Sequence, residues 1–259
     1  MRRQVAGGDV SALRPLPAVA GLAPGVAAVS EPCPQPAGPA EAAAAASMPP
    51  KRRLEFLAGR RAARRALRAV GPECGEIPRS GRLPVYPPGR AASISHSAGT
   101  AVARAPGRDL PLGCDLEPRP LPRDAARLVL RAAEEALLDD EEMPLGAGAA
   151  WSVTELFSVE EAAWKALDVP ESGCRAGPAG SPRDLRASPC GDGLRVCLRT
   201  DPAHAVRVRV VRVGAGVFGY VVGRAGARAD PVLPPPRGIV PGRGKSFVPG
   251  QRSDVPPSR

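Results

Sequence analysis

Apolar residues at 54, 57, 58, 62, 66, 67 and 70 recur three and four positions apart, which predicts an amphipathic helix over 51–70, closed by Gly71-Pro72. Strand-like apolar runs follow at 91–105, on both sides of the polar interruption Ser95-His96-Ser97, and at 112–117, where Pro118 stops the strand. Helical spacing returns at 123–138 and, after a Gly/Ala-rich gap at 144–150, at 158–167. Pro and Gly then dominate 170–193. Val206, Val208 and Val210 alternate with Arg207 and Arg209, so 194–200, 205–213 and 217–222 read as an antiparallel meander with one buried face. The order helix, strands, helix, then helix, strands implies an α+β fold of two similar halves, 48–143 and 144–230.

The termini read differently. Residues 1–47 hold prolines, an alanine run and few large apolar side chains, and 231–259 are basic and proline-rich. Neither has the apolar area to offset ordering entropy, so both are expected to be disordered, and Met48 is a candidate start. No segment approaches the roughly 20 apolar residues of a membrane span. The six cysteines form no C-x-x-C pair and only two histidines could join them, which suggests a reducing cytoplasm rather than a zinc or disulfide scaffold. The net charge of +10 comes from 36 Lys+Arg against 26 Asp+Glu and raises nucleic-acid binding as an alternative. Against that alternative, aromatic residues are scarce and no nucleic-acid motif is present.

Four clusters could carry chemistry. Asp115 and Glu117 lie two apart on a strand and face the same way, while Cys114 and Leu116 turn to the core. Two such carboxylates suit either a solvated strand end or a hard cation such as Mg²⁺. Glu161 and Lys165 lie four apart on one helical face, as an ordinary ion pair or as an acid–base pair. Lys165 is the only lysine between positions 52 and 244 of an arginine-rich chain. Ser95, His96 and Ser97, followed by Ala98-Gly99, suit a phosphate-contacting turn or plain hydrogen-bonded structure. Arg60 and Arg64 share a helix face and could grip a phosphate or simply be solvated.

In order and spacing these clusters resemble the 4′-phosphopantetheinyl transferases of the surfactin/enterobactin type. The S-H-S turn stands here as Ser95-His96-Ser97, the G-x-D-x-E strand as Gly113 to Glu117, and the F-S-x-K-E-x-x-x-K helix as Phe157 to Lys165. The segments Glu55-Phe56-Leu57-Ala58-Gly59-Arg60 and Arg82-Leu83-Pro84-Val85-Tyr86-Pro87 suggest the enterobactin-synthase branch. The resemblance implies a monomeric pseudo-dimer with coenzyme A in the cleft between the halves. It implies transfer of the phosphopantetheine arm to a serine of an apo carrier protein of nonribosomal-peptide, polyketide or siderophore synthesis, with release of adenosine 3′,5′-bisphosphate. In that reading Asp115, Glu117 and Glu161 hold Mg²⁺, Glu161 is the base and Lys165 serves the leaving phosphate. Arg60, Arg64, Arg82, Ser95, His96, Ser97 and Lys165 bind coenzyme A. One position departs from the family pattern. Glu160 stands where lysine is usual, which weakens coenzyme A binding unless the side chain turns outward, and makes a less active homologue the nearest alternative.

Overall fold

The computed structural model describes residues 22–26, 34–95, 97, 100–104, 111–138, 151–167, 180–213 and 215–226. Ten strands and five α-helices are assigned there. They run β1 (Leu22–Val26), α1 (Pro39–Ala46), α2 (Pro50–Ala69), β2 (Arg79–Ser80), β3 (Leu83–Pro84), β4 (Ala91–Ser95), β5 (Thr100–Arg104) and β6 (Cys114–Glu117). Then come α3 (Ala126–Val129), α4 (Ala132–Glu135), α5 (Val153–Leu167), β7 (Leu185–Cys190), β8 (Gly193–Leu198), β9 (Ala205–Val213) and β10 (Gly216–Arg224).

The predicted arginine-bearing helix is α2, and its apolar stripe is the reason it folds where it does. Ala62, Ala63, Ala66 and Leu67 are wholly buried with Ile77 and Ile94. This packs α2 onto an antiparallel sheet of order β1-β5-β4. The larger core lies under α5, where Leu156, Val159 and Ala163 meet Leu185, Leu194, Val196, Val206, Val208 and Val221. These come from an antiparallel sheet of order β6-β10-β9-β8-β7. Burial of such side chains stabilises the layer by about 1.5–3 kcal/mol each.

The α+β expectation holds, with four differences. First, the expected disorder of 1–47 does not apply to its described part. Residues 22–26 pair with β5, and α1 buries the Glu41 carboxylate, whose hydrogen bonds supply what the alanine run lacks in apolar area. The expected tail 231–259 lies outside the described residues. Second, the single helix expected over 123–138 is split, because Leu130 and Arg131 take extended backbone. Third, β7 arises in the proline- and glycine-rich stretch. Its Pro189 is tolerated because the strand is at a sheet edge. Fourth, the two sheets are unequal, and β6, from the expected first half, pairs with β10 of the second sheet, with Asp115 opposite Gly219.

Candidate active site

The site forms where α5 crosses β6 and β10, and two glycines allow that crossing. A Cβ on Gly113 would lie 1.9 Å from the Ala162 carbonyl oxygen, and one on Gly219 would lie 2.8 Å from Ser158. With neither Cβ present, α5 rests directly on the strand pair. The helix begins earlier than its spacing predicts, at Val153. Ser152 and Glu155 cap it reciprocally, since the Ser152 N–H donates to Glu155 Oε2 (2.9 Å) and the Glu155 N–H to Ser152 Oγ (3.2 Å). Ser158 lies inside the helix. Its hydroxyl donates to the Asp115 carbonyl at 3.1 Å and accepts the Gly219 N–H at 3.0 Å.

Lys165 reaches across from α5 to β6. Its Nζ donates to Asp115 Oδ1 at 2.7 Å and to the Cys114 carbonyl at 3.0 Å, and lies 4.0 Å from Glu161 Oε2. Burial opposes the ammonium charge, but the Asp115 carboxylate overrides it and holds Lys165 above the ordinary lysine range. The other Asp115 oxygen, Oδ2, is buried with no hydrogen-bond partner. Glu117 is pushed up to about 7, first by burial, then by the charges of Asp115 and Glu161 and by a hydrogen bond that only its neutral carboxyl can give to Asp115. Glu161 is also raised, by burial and by Asp115, against the opposing pull of Lys165. The three carboxylates expected to work together therefore do sense one another.

Among the described residues, no three His, Cys, Asp or Glu side chains already stand as a metal-binding set. The donors nonetheless suit a hard cation. They are carboxylate oxygens, one is orphaned in the interior, and burial together with acidic neighbours raises another to about 7. Divalent charge there would satisfy Asp115 Oδ2 and relieve the repulsion on Glu117.

The expected coenzyme A contacts fare differently. Arg60 is 3% exposed, donates through Nε to the Ile77 carbonyl at 2.9 Å and lies over the Phe56 ring, so its position is set by the interior. Burial also lowers its pKa from the ordinary value. Arg64 is paired with the wholly buried Glu41 carboxylate. Ser95 is fully buried, with its hydroxyl on β6 rather than on a surface open to ligand. Arg82 stacks over the Trp164 ring of α5 at 5.4 Å. Ser97 lines, with Glu117, Arg119 and Leu121, a cavity of about 420 Å³ beside the carboxylates. His96, Ala98 and Gly99 lie outside the described residues. Glu160 turns inward, not outward. It is 2% exposed and raised to about 8, by burial first and then by the Glu134 charge. It faces the Glu134–Arg199 pair (2.7 Å) on the side of α5 away from Asp115. Sequence reasoning gave Ser93, Ser158 and Gly219 no part in joining these elements, and Gly113 was noticed only as part of a motif. Gly113 and Gly219 carried a signal, as small residues within otherwise apolar strands.

Comparison with known proteins bears on the same region. Residues 40–105 match the 4′-phosphopantetheinyl transferase N-terminal domain family. The chain is also similar to enterobactin synthase component D of Escherichia coli O157:H7 and of Shigella flexneri, each 36% identical over 124 residues. The K12 strain of Escherichia coli has a relative at the same identity. Each alignment covers 46% of this chain and 56% of the relative, so the chain spans about half the length of the curated relatives it matches.

Proposed function

We propose that the chain transfers the 4′-phosphopantetheine group of coenzyme A to a serine hydroxyl of an apo carrier protein. The observation that carries this reading is the meeting of α5 and β6. Lys165 is bonded to Asp115, Asp115 Oδ2 is orphaned, and the Glu117 carboxyl is raised by burial and by both of its acidic neighbours. The matches to the transferase family and to enterobactin synthase component D point the same way. We read α2 on its three-stranded sheet and α5 on its five-stranded sheet as the two halves of the family's pseudo-dimer, with the site in the crevice between them.

Asp115, Glu117 and Glu161 would hold Mg²⁺. When bound, the ion supplies positive charge to the oxygens of the coenzyme A pyrophosphate. Glu161, already raised toward neutrality, accepts the proton of the carrier serine as its oxygen bonds to the phosphorus that bears the pantetheine arm. The bond from that phosphorus to the bridging oxygen breaks, and adenosine 3′,5′-bisphosphate leaves with the electron pair. Lys165 keeps a positive charge beside the leaving phosphate while it anchors Asp115. Ser97 borders the cavity where the nucleotide end would lie, Arg82 sits over Trp164 of α5, and His96 is the proposed hydrogen-bond donor to the nucleotide phosphate.

The charge excess does not favour the nucleic-acid alternative. Arg53, Arg60 and Arg64 on α2 are spent on the Ala45 and Ile77 carbonyls and on Glu41, not arrayed as a stripe for phosphates. The deciding experiment mixes the purified chain with coenzyme A, Mg²⁺ and an apo carrier protein from siderophore, nonribosomal-peptide or polyketide synthesis, then weighs the carrier. The reading predicts a gain of one phosphopantetheine arm that EDTA abolishes. No gain on carriers of all three kinds sinks it.

A further inference from the structure

β6 is the outer strand of its sheet, and on the edge away from β10 two of its N–H groups are met by serine side chains. Ser93 and Ser95 of β4 lie two apart and match Cys114 and Leu116, also two apart. The Cys114 N–H donates to Ser93 Oγ at 3.0 Å and the Leu116 N–H donates to Ser95 Oγ at 3.0 Å. From the other side Lys165 takes the Cys114 carbonyl and Ser158 takes the Asp115 carbonyl. Two serine hydroxyls thus stand in for a neighbouring strand and tie the small sheet to the large one, and a third, Ser158, ties α5 to the same strand at the acidic residues. All three are buried: Ser93 is 7% exposed, and Ser95 and Ser158 are fully covered.

Ser95 differs from Ser93 in one respect. Having accepted from Leu116, its hydroxyl still has a proton, which it donates to Asp115 Oδ1 at 3.2 Å. The same oxygen accepts from Lys165 at 2.7 Å. Oδ1 is therefore doubly occupied, while Oδ2 of the same buried carboxylate has no partner once Glu117 is ionised, as it must be to share a cation. We propose that Ser95 is a positioning residue: with Lys165 it fixes the Asp115 carboxylate through Oδ1, so that Oδ2 is the lone-pair donor offered to a divalent cation. Resting on the transferase reading, this moves Ser95 from the coenzyme A surface to the support of the metal site. Losing a hydrogen bond that orients a ligand side chain costs about 10–100-fold in metal affinity.

The test compares Ser95→Ala and the near-isosteric, weakly donating Ser95→Cys with Ser93→Ala. Ser93→Ala removes an equally buried hydroxyl that touches only main chain of the Cys114 segment. Mn²⁺ binding to the full chain is read from the electron paramagnetic resonance signal of free Mn²⁺, without coenzyme A. KM for coenzyme A is then measured at saturating Mg²⁺. Both Ser95 variants should bind Mn²⁺ about tenfold more weakly, with KM for coenzyme A unchanged, while Ser93→Ala keeps wild-type Mn²⁺ affinity. Unchanged Mn²⁺ affinity in a folded Ser95 variant overturns the assignment. So does equal weakening in Ser93→Ala, or a rise in KM for coenzyme A. A wild-type chain that binds no Mn²⁺ removes the metal reading together with this inference, whereas binding by wild type and Ser95→Ala alike removes the inference alone.

Discussion

The two long helices were equally conspicuous in the sequence, and each carries charged residues four apart, yet the structure uses them in opposite ways. On α2 four arginines find partners close by: Arg53 on the Ala45 carbonyl, Arg60 on the Ile77 carbonyl, Arg64 on Glu41 and Arg68 on Glu73. On α5 they are left in tension. Lys165 satisfies one oxygen of Asp115, the other has no partner, and Glu117 and Glu161 are both pushed up by burial and acidic neighbours. A buried charge with its partners in place stabilises a fold, whereas one left short of a partner marks where a ligand supplies the rest. Charge spacing alone does not separate the two cases.

The sharpest way to test this contrast is to remove one charge from each helix's network. Glu161→Ala takes away the proposed base and one of three carboxylates, and transfer to a carrier protein should fall about 10³-fold. Thermal stability should hold or rise, because the carboxylate is a source of repulsion there. Turnover near wild type, followed by mass spectrometry of the carrier, would show that α5 is not the working helix.

Glu41→Ala is the matching change on the α2 side. The Glu41 carboxylate is fully buried and accepts the Ile77 N–H at 2.8 Å, the Ala37 N–H at 3.0 Å and the Arg64 guanidinium. Removing it strands a mostly buried arginine, at a cost of about 3 kcal/mol, or roughly 6–12 °C in melting temperature. Arg60 is tied to the same segment, since Ile77 gives its N–H to Glu41 and its carbonyl to Arg60. A chain beginning at Met48 should lose as much, contrary to the sequence-based expectation that 1–47 is dispensable. Calorimetry showing an unchanged melting temperature for both would restore that expectation.

How far the sequence foretold this follows from what spacing can encode. The apolar stripe of α2 and the alternation in β9 each report a local period, and both elements form where predicted. The split between α3 and α4 was not legible, because 123–138 keeps helical spacing throughout. It is broken at Leu130–Arg131, and α4 then buries Glu134, where Arg199 and the Ala187 N–H meet its carboxylate from 65 and 53 residues away. The helix α1 was hidden for a similar reason. An alanine run resembles low complexity until the tertiary partners of Glu41 are known. At the site, the residue types of Asp115, Glu117, Glu161 and Lys165 were readable as chemistry. The roles of Ser93, Ser95 and Ser158 were not, since a buried serine shows its use only through the main-chain groups it meets.

Glu160 carries the smallest expected effect, and tests whether tension on α5 always means function. It is one residue from Glu161 and about 100° round the helix, and its buried Oε2 has no partner. Yet it faces Glu134 and Arg199, not Asp115. Its carboxyl is pushed to about 8 from the ordinary 4.5, chiefly by burial. The folded state thus favours the neutral acid, and the sign follows from linkage. The stability it contributes is full below about 4.5 and is lost as pH rises through about 8. Glu160→Gln, a neutral mimic, should lie close to wild type at pH 5 and melt several degrees higher at pH 8.5. The same trend from Glu117 is common to both proteins and cancels in the difference. Transfer activity should be unaltered, because the side chain faces away from Asp115 and Lys165. Melting curves that stay parallel from pH 5 to 8.5 would remove the neutral-acid assignment. A loss of transfer at unchanged stability would bring Glu160 back into the working face of α5.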